Sequence, residues 1–249
     1  MGVYWYGTKY KGNDMKKIIE NISIFGDSIS KGVILDEISK KYKMLKESAA
    51  DLFSRENNVT VKNHAKFGCT SDKILKIAPD LLNGGDGSEI VLLGVGGNDC
   101  DFNWDNVANN PDLDHVPNVP IERFRENIVK IIEMIKAAGK RTAIVTQPPI
   151  DSDKYFSWIS HDDTARGASI MRFLGDKNYI YRHHELYASA LEEAALQNGI
   201  FRIPVRAGFL ATPKYSDYLC ADGIHLNSRG QQAMESIFTD TYKRYLDEN

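Results

Sequence analysis

The sequence predicts an α/β fold, a parallel sheet covered by helices on both faces, and three observations carry that prediction. Five short β-branched runs are each closed by Gly, Pro or polar residues. Between them stand stretches with apolar residues at three- and four-residue spacing, the mark of amphipathic helices. Strands and helices alternate along the chain, which calls for right-handed crossovers and parallel pairing. A chain of 249 residues can build one large core, and open α/β sheets of this size commonly stay one unit. One domain over residues 1–249 is therefore expected.

In order, the strands are NISIFG (21–26), VTVKNHA (59–65), EIVLLGVG (89–96), RTAIVTQ (141–147) and GIFRIPV (199–205). The clearest helix is IERFRENIVKIIEMIKAAG, where Phe124, Ile128, Ile131, Ile132 and Ile135 share a face before a Gly stop. IYRHHELYASALEEAALQNG follows the same logic and ends at Gly199, a C-cap position. NSRGQQAMESIFTDTYKRYL forms the last amphipathic helix. Residues 100–120, rich in Asn, Asp and Pro, and residues 148–178, with aromatics and charges, break the alternation. They read as long loops, which in a compact domain are more often functional than idle.

Composition narrows the function. The formal charge of −3 comes from interspersed residues, so no electrostatic footprint for nucleic acid or an anionic membrane is present. Cys69, Cys100 and Cys220 are odd in number, widely spaced and form no CxxC, which speaks against a disulfide framework or a thiolate zinc site. The opening MGVYWYGTKYKGND has no apolar run of signal-peptide length, and no later run approaches a membrane span. A cytoplasmic location without membrane insertion is expected. Gly2 is not a myristoylation site, since Tyr6 stands where Ser or Thr is needed. With Met15 opening MKKIIENISIF, residues 1–15 read as an N-terminal arm or an upstream start.

In open parallel sheets, ligands bind beyond the carboxyl ends of the strands. Polar signals gather there: Ser28 after the first strand, Gly68 after the second, Asn98 and Asp99 after the third, and Asp222 with His225 before the last helix. A serine hydroxyl becomes a useful nucleophile when an imidazole takes its proton and a carboxylate fixes the tautomer. Ser28, His225 and Asp222 can fill those roles. The resulting oxyanion needs donors, which the N–H groups of Ser28 and Gly68 and the Asn98 amide can supply. Gly at position 68 also leaves room for a substrate carbonyl. Asp27 and Asp99 read as turn-shaping residues.

GDSIS, the Gly of FGCTS, GGND and DGIH resemble the four sequence blocks of the SGNH or GDSL-type hydrolase family, in the right order. The resemblance implies a three-layer α/β/α fold on a flavodoxin-like five-stranded parallel sheet. It implies Ser28 as nucleophile and donor, Gly68 and Asn98 as oxyanion donors, and Asp222 and His225 as the remaining catalytic residues, with no cofactor and no metal. Two details depart from the best-known pattern: Ile29 stands in place of Leu, and Cys69 follows the Gly.

Other chemistries fit less well. From Gly94, a dinucleotide-binding GxGxxG frame meets Asp99 at its third glycine, and GxSxG is absent because Gly26, Ser28 and Ser30 give GxSxS. His183 and His184 are neighbours that face different sides of a helix and read as helix-surface or pocket-rim residues. A cysteine nucleophile is the remaining alternative, since each cysteine lies beside a block. Trp104, Tyr155, Phe156 and Trp158 are candidate substrate-binding residues, or they pack the long segments onto the sheet. The expected activity is hydrolysis of small esters, foremost an acetyl group on a sugar. Longer acyl chains, an acetyl transferase and a non-catalytic glycan-binding module are the other readings.

Overall fold

The computed structural model describes residues 19–85 and 87–248. Strand β1 (Asn21–Gly26) runs into a short helix α1 (Ser28–Lys31), followed by an antiparallel hairpin of β2 (Val33–Leu35) and β3 (Tyr42–Met44). Next come α2 (Ala49–Asn57), β4 (Thr60–Asn63), α3 (Ser71–Asn83) and β5 (Ile90–Gly94). Helices α4 (Trp104–Asn109) and α5 (Ile121–Ala137) lead to β6 (Arg141–Val145). Then α6 (Ser152–Ser160), α7 (Thr164–Leu174) and α8 (Asn178–Gln197) precede β7 (Phe201–Ile203). Helices α9 (Val205–Leu210) and α10 (Ser228–Glu248) follow. The arm expected at residues 1–15 lies outside the described residues. Among those described, no helix is long and apolar enough to cross a membrane.

All five expected strands form, and they pair in the order β4-β1-β5-β6-β7, every neighbour parallel. The chain leaves β1 toward one edge and returns to β5 on its other side, so the switch point lies between these two strands. Side chains of β5 and β6 divide strictly by period two. Val91, Leu93 and Ile144 pack with Ile74, Phe124, Ile131 and Leu191 from α3, α5 and α8, whereas Leu92, Ala143 and Val145 meet Phe53, Phe209 and Phe238 from α2, α9 and α10. Burial on both faces explains why these strands read as continuous apolar runs.

Residues 148–178 are not the long loop that their composition suggests. They hold α6 and α7, capped by Asp151, which accepts from the N–H groups of Asp153 and Lys154, and by Asp163, which accepts from Arg166 N–H. The aromatic and aliphatic residues of this region bury one another. Phe102, Val107, Tyr155, Ile159, Ile170 and Leu174 make a third cluster that roofs the sheet. Residues 100–120 contain only the short α4 and are otherwise irregular.

Ile131 is fully buried between α5 and the sheet. Ile131→Ala should cost about 2–5 kcal/mol and lower the urea midpoint with an unchanged slope, measured by equilibrium unfolding.

Candidate active site

Strand β1 stops at Gly26, and Asp27 turns the chain by accepting the Ile29 N–H at 3.0 Å, which caps α1. Ser28 is thereby the first residue of a helix standing on the carboxyl rim of the sheet, beside the switch point. After β5 the chain makes a second turn. There Asp99 accepts the Ser71 N–H at 2.9 Å and the Ser71 hydroxyl at 2.5 Å, tying the Asn98 loop to the start of α3. Both carboxylates therefore shape turns, as their positions predict.

Asp222 and His225 share one tight turn. Oδ1 of Asp222 accepts the Ile224 and His225 N–H groups at 3.1 Å, and Oδ2 lies 2.7 Å from His225 Nδ1. On the far side of the ring, Nε2 lies 2.8 Å from Ser28 Oγ. The carboxylate claims the Nδ1 proton and leaves Nε2 as the acceptor for the serine hydroxyl. All three side chains are sequestered, with Ser28 6 %, His225 5 % and Asp222 0 % exposed. Burial raises the Asp222 carboxyl, but the hydrogen bonds and charge of His225 outweigh it and hold the group below its ordinary range. The Asp222 carboxylate is thereby kept ionised where a lone buried acid would be neutral.

Two cavities meet at Ser28 and His225. A deep one of about 90 Å³ is walled by Phe102, Ile150, Ile180, His183 and His184, and an open one of about 360 Å³ by Tyr42, Phe67, Trp158 and Arg166. Asn98 lines both. Gly68 lies in the loop beside Phe67, its carbonyl accepting from Lys73 Nζ at 2.6 Å. Its glycine is explained by φ +63°, since an added Cβ would meet nothing nearer than Lys73 Nζ at 4.0 Å.

Of the four aromatic candidates, Trp104 and Tyr155 line both cavities and Trp158 lines the open one. Phe156 does not line either; it sits against Gly167 and under the Lys177 ammonium. Tyr155 and Trp158 are three residues apart on α6 and share its inner face, so helical spacing separates them from Phe156. His183 and His184 both line the deep cavity, His183 half-buried and His184 buried, so of the two expected placements it is the one at the pocket that applies. Burial, with the Arg206 charge and His183 beside it, pushes His184 down to about 3, so it is a neutral wall. The three cysteines are buried, and burial first of all pushes Cys69 and Cys220 up to about 11 and Cys100 well above its ordinary value. None offers a thiolate at neutral pH. Sequence reading passed over Tyr42, Phe67 and Asp101; the first two are exposed aromatics on loops and edges, where no periodicity marks them.

Gly223, inside the Asp222–His225 turn, has φ +72°, and a Cβ there would lie 2.5 Å from the Asp151 carbonyl oxygen. Gly223→Ala should therefore destabilise the fold by more than about 2 kcal/mol, seen as a lower thermal midpoint. Burial raises the Asp27 carboxyl to about 6, against the opposing Ile29 N–H and His225 charge. A group that binds its proton more tightly when folded stabilises most below the ordinary carboxylate value, and that contribution is lost as pH rises to about 6. Asp27→Asn keeps the cap oxygen without the charge. Its thermal midpoint should gain on wild type as pH climbs through this window and hold the gain above it.

Comparison with known proteins follows the same geometry. Residues 24–233 match the GDSL-like lipase/acylhydrolase family. Among solved structures, the chain is similar to a lipase/acylhydrolase from Enterococcus faecalis at 19 % identity and TM-score 0.64, covering 91 % of this chain and 97 % of that one. It is also similar to the psychrotrophic esterase EstA from a Pseudoalteromonas species, whose structure was inhibited by monoethylphosphonate, at 17 % identity and TM-score 0.58 over 92 % and 99 %. A catalytic mutant of Axe2, an acetylxylan esterase from Geobacillus stearothermophilus, is similar at 16 % identity and TM-score 0.61 over 92 % and 96 %. Among curated proteins nothing matches. With its sheet order, its rim and its matched residues agreeing, the chain belongs to the GDSL-like lipase/acylhydrolase family of ester-hydrolysing enzymes.

Proposed function

We propose that the protein is a metal-independent serine esterase of short acyl chains, acting foremost on O-acetyl groups of a carbohydrate. The observation that carries the mechanism is the unbroken line Asp222 Oδ2–His225–Ser28 Oγ, at 2.7 and 2.8 Å. His225 Nε2 takes the Ser28 proton as Oγ attacks the ester carbonyl, and Asp222 steadies the imidazolium. The tetrahedral oxyanion is held by the Ser28 and Gly68 N–H groups and the Asn98 amide. His225 then protonates the leaving alcohol, and water repeats the sequence on the acyl-enzyme. Both half-reactions use the same proton carrier.

Cavity sizes support the acyl preference. An apolar cavity of about 150 Å³ accommodates benzene, so the deep cavity of about 90 Å³ suits roughly three carbons beyond the carbonyl. An octanoyl chain would outgrow it and have to run into the open cavity. The open cavity combines the Trp104 and Trp158 rings with the polar groups of Asn103, Asp105 and Arg166, a mixture suited to a sugar. The similar fold of an acetylxylan esterase is in keeping with this. The buried free cysteines suit a reducing, cytoplasmic compartment.

Hydrolysis of p-nitrophenyl acetate, butyrate and octanoate, with acetate release from acetylated oligosaccharides, tests the reading. Acetate and butyrate should exceed octanoate. Ser28→Ala should lose at least about 10³-fold in kcat, and Asn98→Ala about 10²- to 10³-fold. Unchanged turnover in Ser28→Ala would end the serine mechanism, and octanoate preference would end the short-chain assignment. Faster acyl transfer to an added sugar than to water would reassign the same site to a transferase.

A further inference from the structure

The outer side of His225 is covered by two aromatic rings that the reaction above does not use. The Tyr42 ring centre lies 4.8 Å from the imidazole centre, with the planes at 53°, and Phe67 lies parallel to within 3° at 6.2 Å. The two rings are 5.3 Å from each other, and Tyr42 also meets the edge of Trp158 at 6.0 Å. Phe67 is 56 % exposed and Tyr42 37 %, so neither is placed there as part of a core.

Their attachment points tie them to the histidine. Tyr42 opens β3 and is paired in register with Leu35 of β2. Leu35 N–H donates to Cys220 Sγ at 3.4 Å, and Cys220 N–H donates to the His225 carbonyl at 2.7 Å. The hairpin is thereby fastened to the loop that carries the imidazole. Phe67 comes from the loop after β4, one residue before Gly68.

Hydrogen bonds at Nδ1 and Nε2 define a line through the imidazole but resist rotation about that line only weakly, because acceptor directionality is broad. A tilted Tyr42 ring and an offset parallel Phe67 ring beside the imidazole obstruct that rotation. They also keep water from the Nδ1–carboxylate bond, which is stronger in a dry setting. We propose that Tyr42 and Phe67 are positioning residues, a clamp that holds the His225 ring with Nε2 toward Ser28 and shields its bond to Asp222. The charged or titratable groups beside this imidazole are Asp222, Asp27 and Tyr42 itself. Burial, and then the charge of Asp222 and a hydrogen bond from the phenol to that carboxylate, push the Tyr42 phenol up, so the clamp stays uncharged across the working range.

This inference rests on the reading of His225 as the base for Ser28, and its test separates the two. Wild type, Tyr42→Phe, Tyr42→Ala and Phe67→Ala are compared by kcat and KM on p-nitrophenyl acetate and by the rate of fluorophosphonate labelling of Ser28. Solvent exchange of the His225 Nδ1 proton is followed by NMR. Tyr42→Ala should lose roughly 10- to 100-fold in both kcat and labelling rate, with little change in KM, as misplacement of a reacting group does. Its Nδ1 proton should exchange faster, Phe67→Ala should show the same changes in smaller degree, and Tyr42→Phe should restore most of the wild-type behaviour. A Tyr42→Ala enzyme that only gains in KM while labelling and exchange match wild type would make Tyr42 a mere wall of the substrate cavity and overturn the clamp. Wild type that fails to label at Ser28 would sink the serine reading, while proton exchange would still report on the clamp. Should Tyr42→Ala fail to fold, Tyr42→Leu keeps the apolar volume without the flat ring and carries the same expectations.

Discussion

Helix α1 can stand against the ends of β1 and β5 because Gly26 and Gly94, partners in register, present no side chains there. A Cβ on Gly26 would lie 2.6 Å from Ser30 Oγ of α1, whereas one on Gly94 would reach that oxygen at 3.6 Å and crowd Val145 of β6 at 3.2 Å. With any larger residue at 26 the helix would have to lift off the rim. Ser28 would then move away from the Asp222–His225 turn, which is anchored separately from the far end of the chain. The close approach of backbone to helix is thus the constraint from which the hydroxyl–imidazole distance follows. Stability and reactivity meet at one small contact.

Electrostatics divides the buried carboxyls into two kinds. Burial raises Asp27 and Asp99 to about 6, and raises Asp101, although each accepts hydrogen bonds. Asp222 is equally sequestered yet is held low, because an imidazole faces it directly and two backbone N–H groups converge on its other oxygen. The contrast follows from what each oxygen meets. Asp27 and Asp99 answer mainly to uncharged turn donors, which offset part of the desolvation cost. Only Asp222 has a partner able to carry positive charge within hydrogen-bond distance at Nδ1.

Much of this was legible in the sequence, and the exceptions have physical causes. The five strands announced themselves because burial on both faces demands unbroken β-branched runs, and Ser28, Asp222 and His225 because turns at strand ends carry distinctive residue types. The β2–β3 hairpin did not: its strands are three residues each, and Tyr42, Lys43 and Met44 are all exposed, so no alternation is imposed. Helices α6 and α7 were hidden by their shortness, nine and eleven residues in a stretch dense with polar side chains, against the 20 and 21 residues of α8 and α10. Their caps, Asp151 and Asp163, were visible signals. Tyr42 and Phe67 could not be found from one sequence, because a ring that covers a distant histidine leaves no local pattern.

The roof is an apolar cluster separate from those of the sheet, and one half-buried carboxyl on the loop after β5 holds it. Asp101 Oδ1 accepts the Trp104 indole N–H at 2.7 Å and the Tyr155 hydroxyl at 2.5 Å, and the Trp104 N–H also reaches the Tyr155 oxygen at 2.9 Å. Asp101 follows the Asn98 loop directly, so the same turn that presents the Asn98 amide also suspends α4 and α6. Burial raises the Asp101 carboxyl, and the two donors offset only part of that cost. Such a node is a poor source of stability and a good source of geometry: removing either donor leaves a buried acceptor short of a partner, so both rings keep one orientation. On the proposed reading, the loop that carries the Asn98 oxyanion donor thus also holds the Trp104 and Tyr155 walls of both cavities.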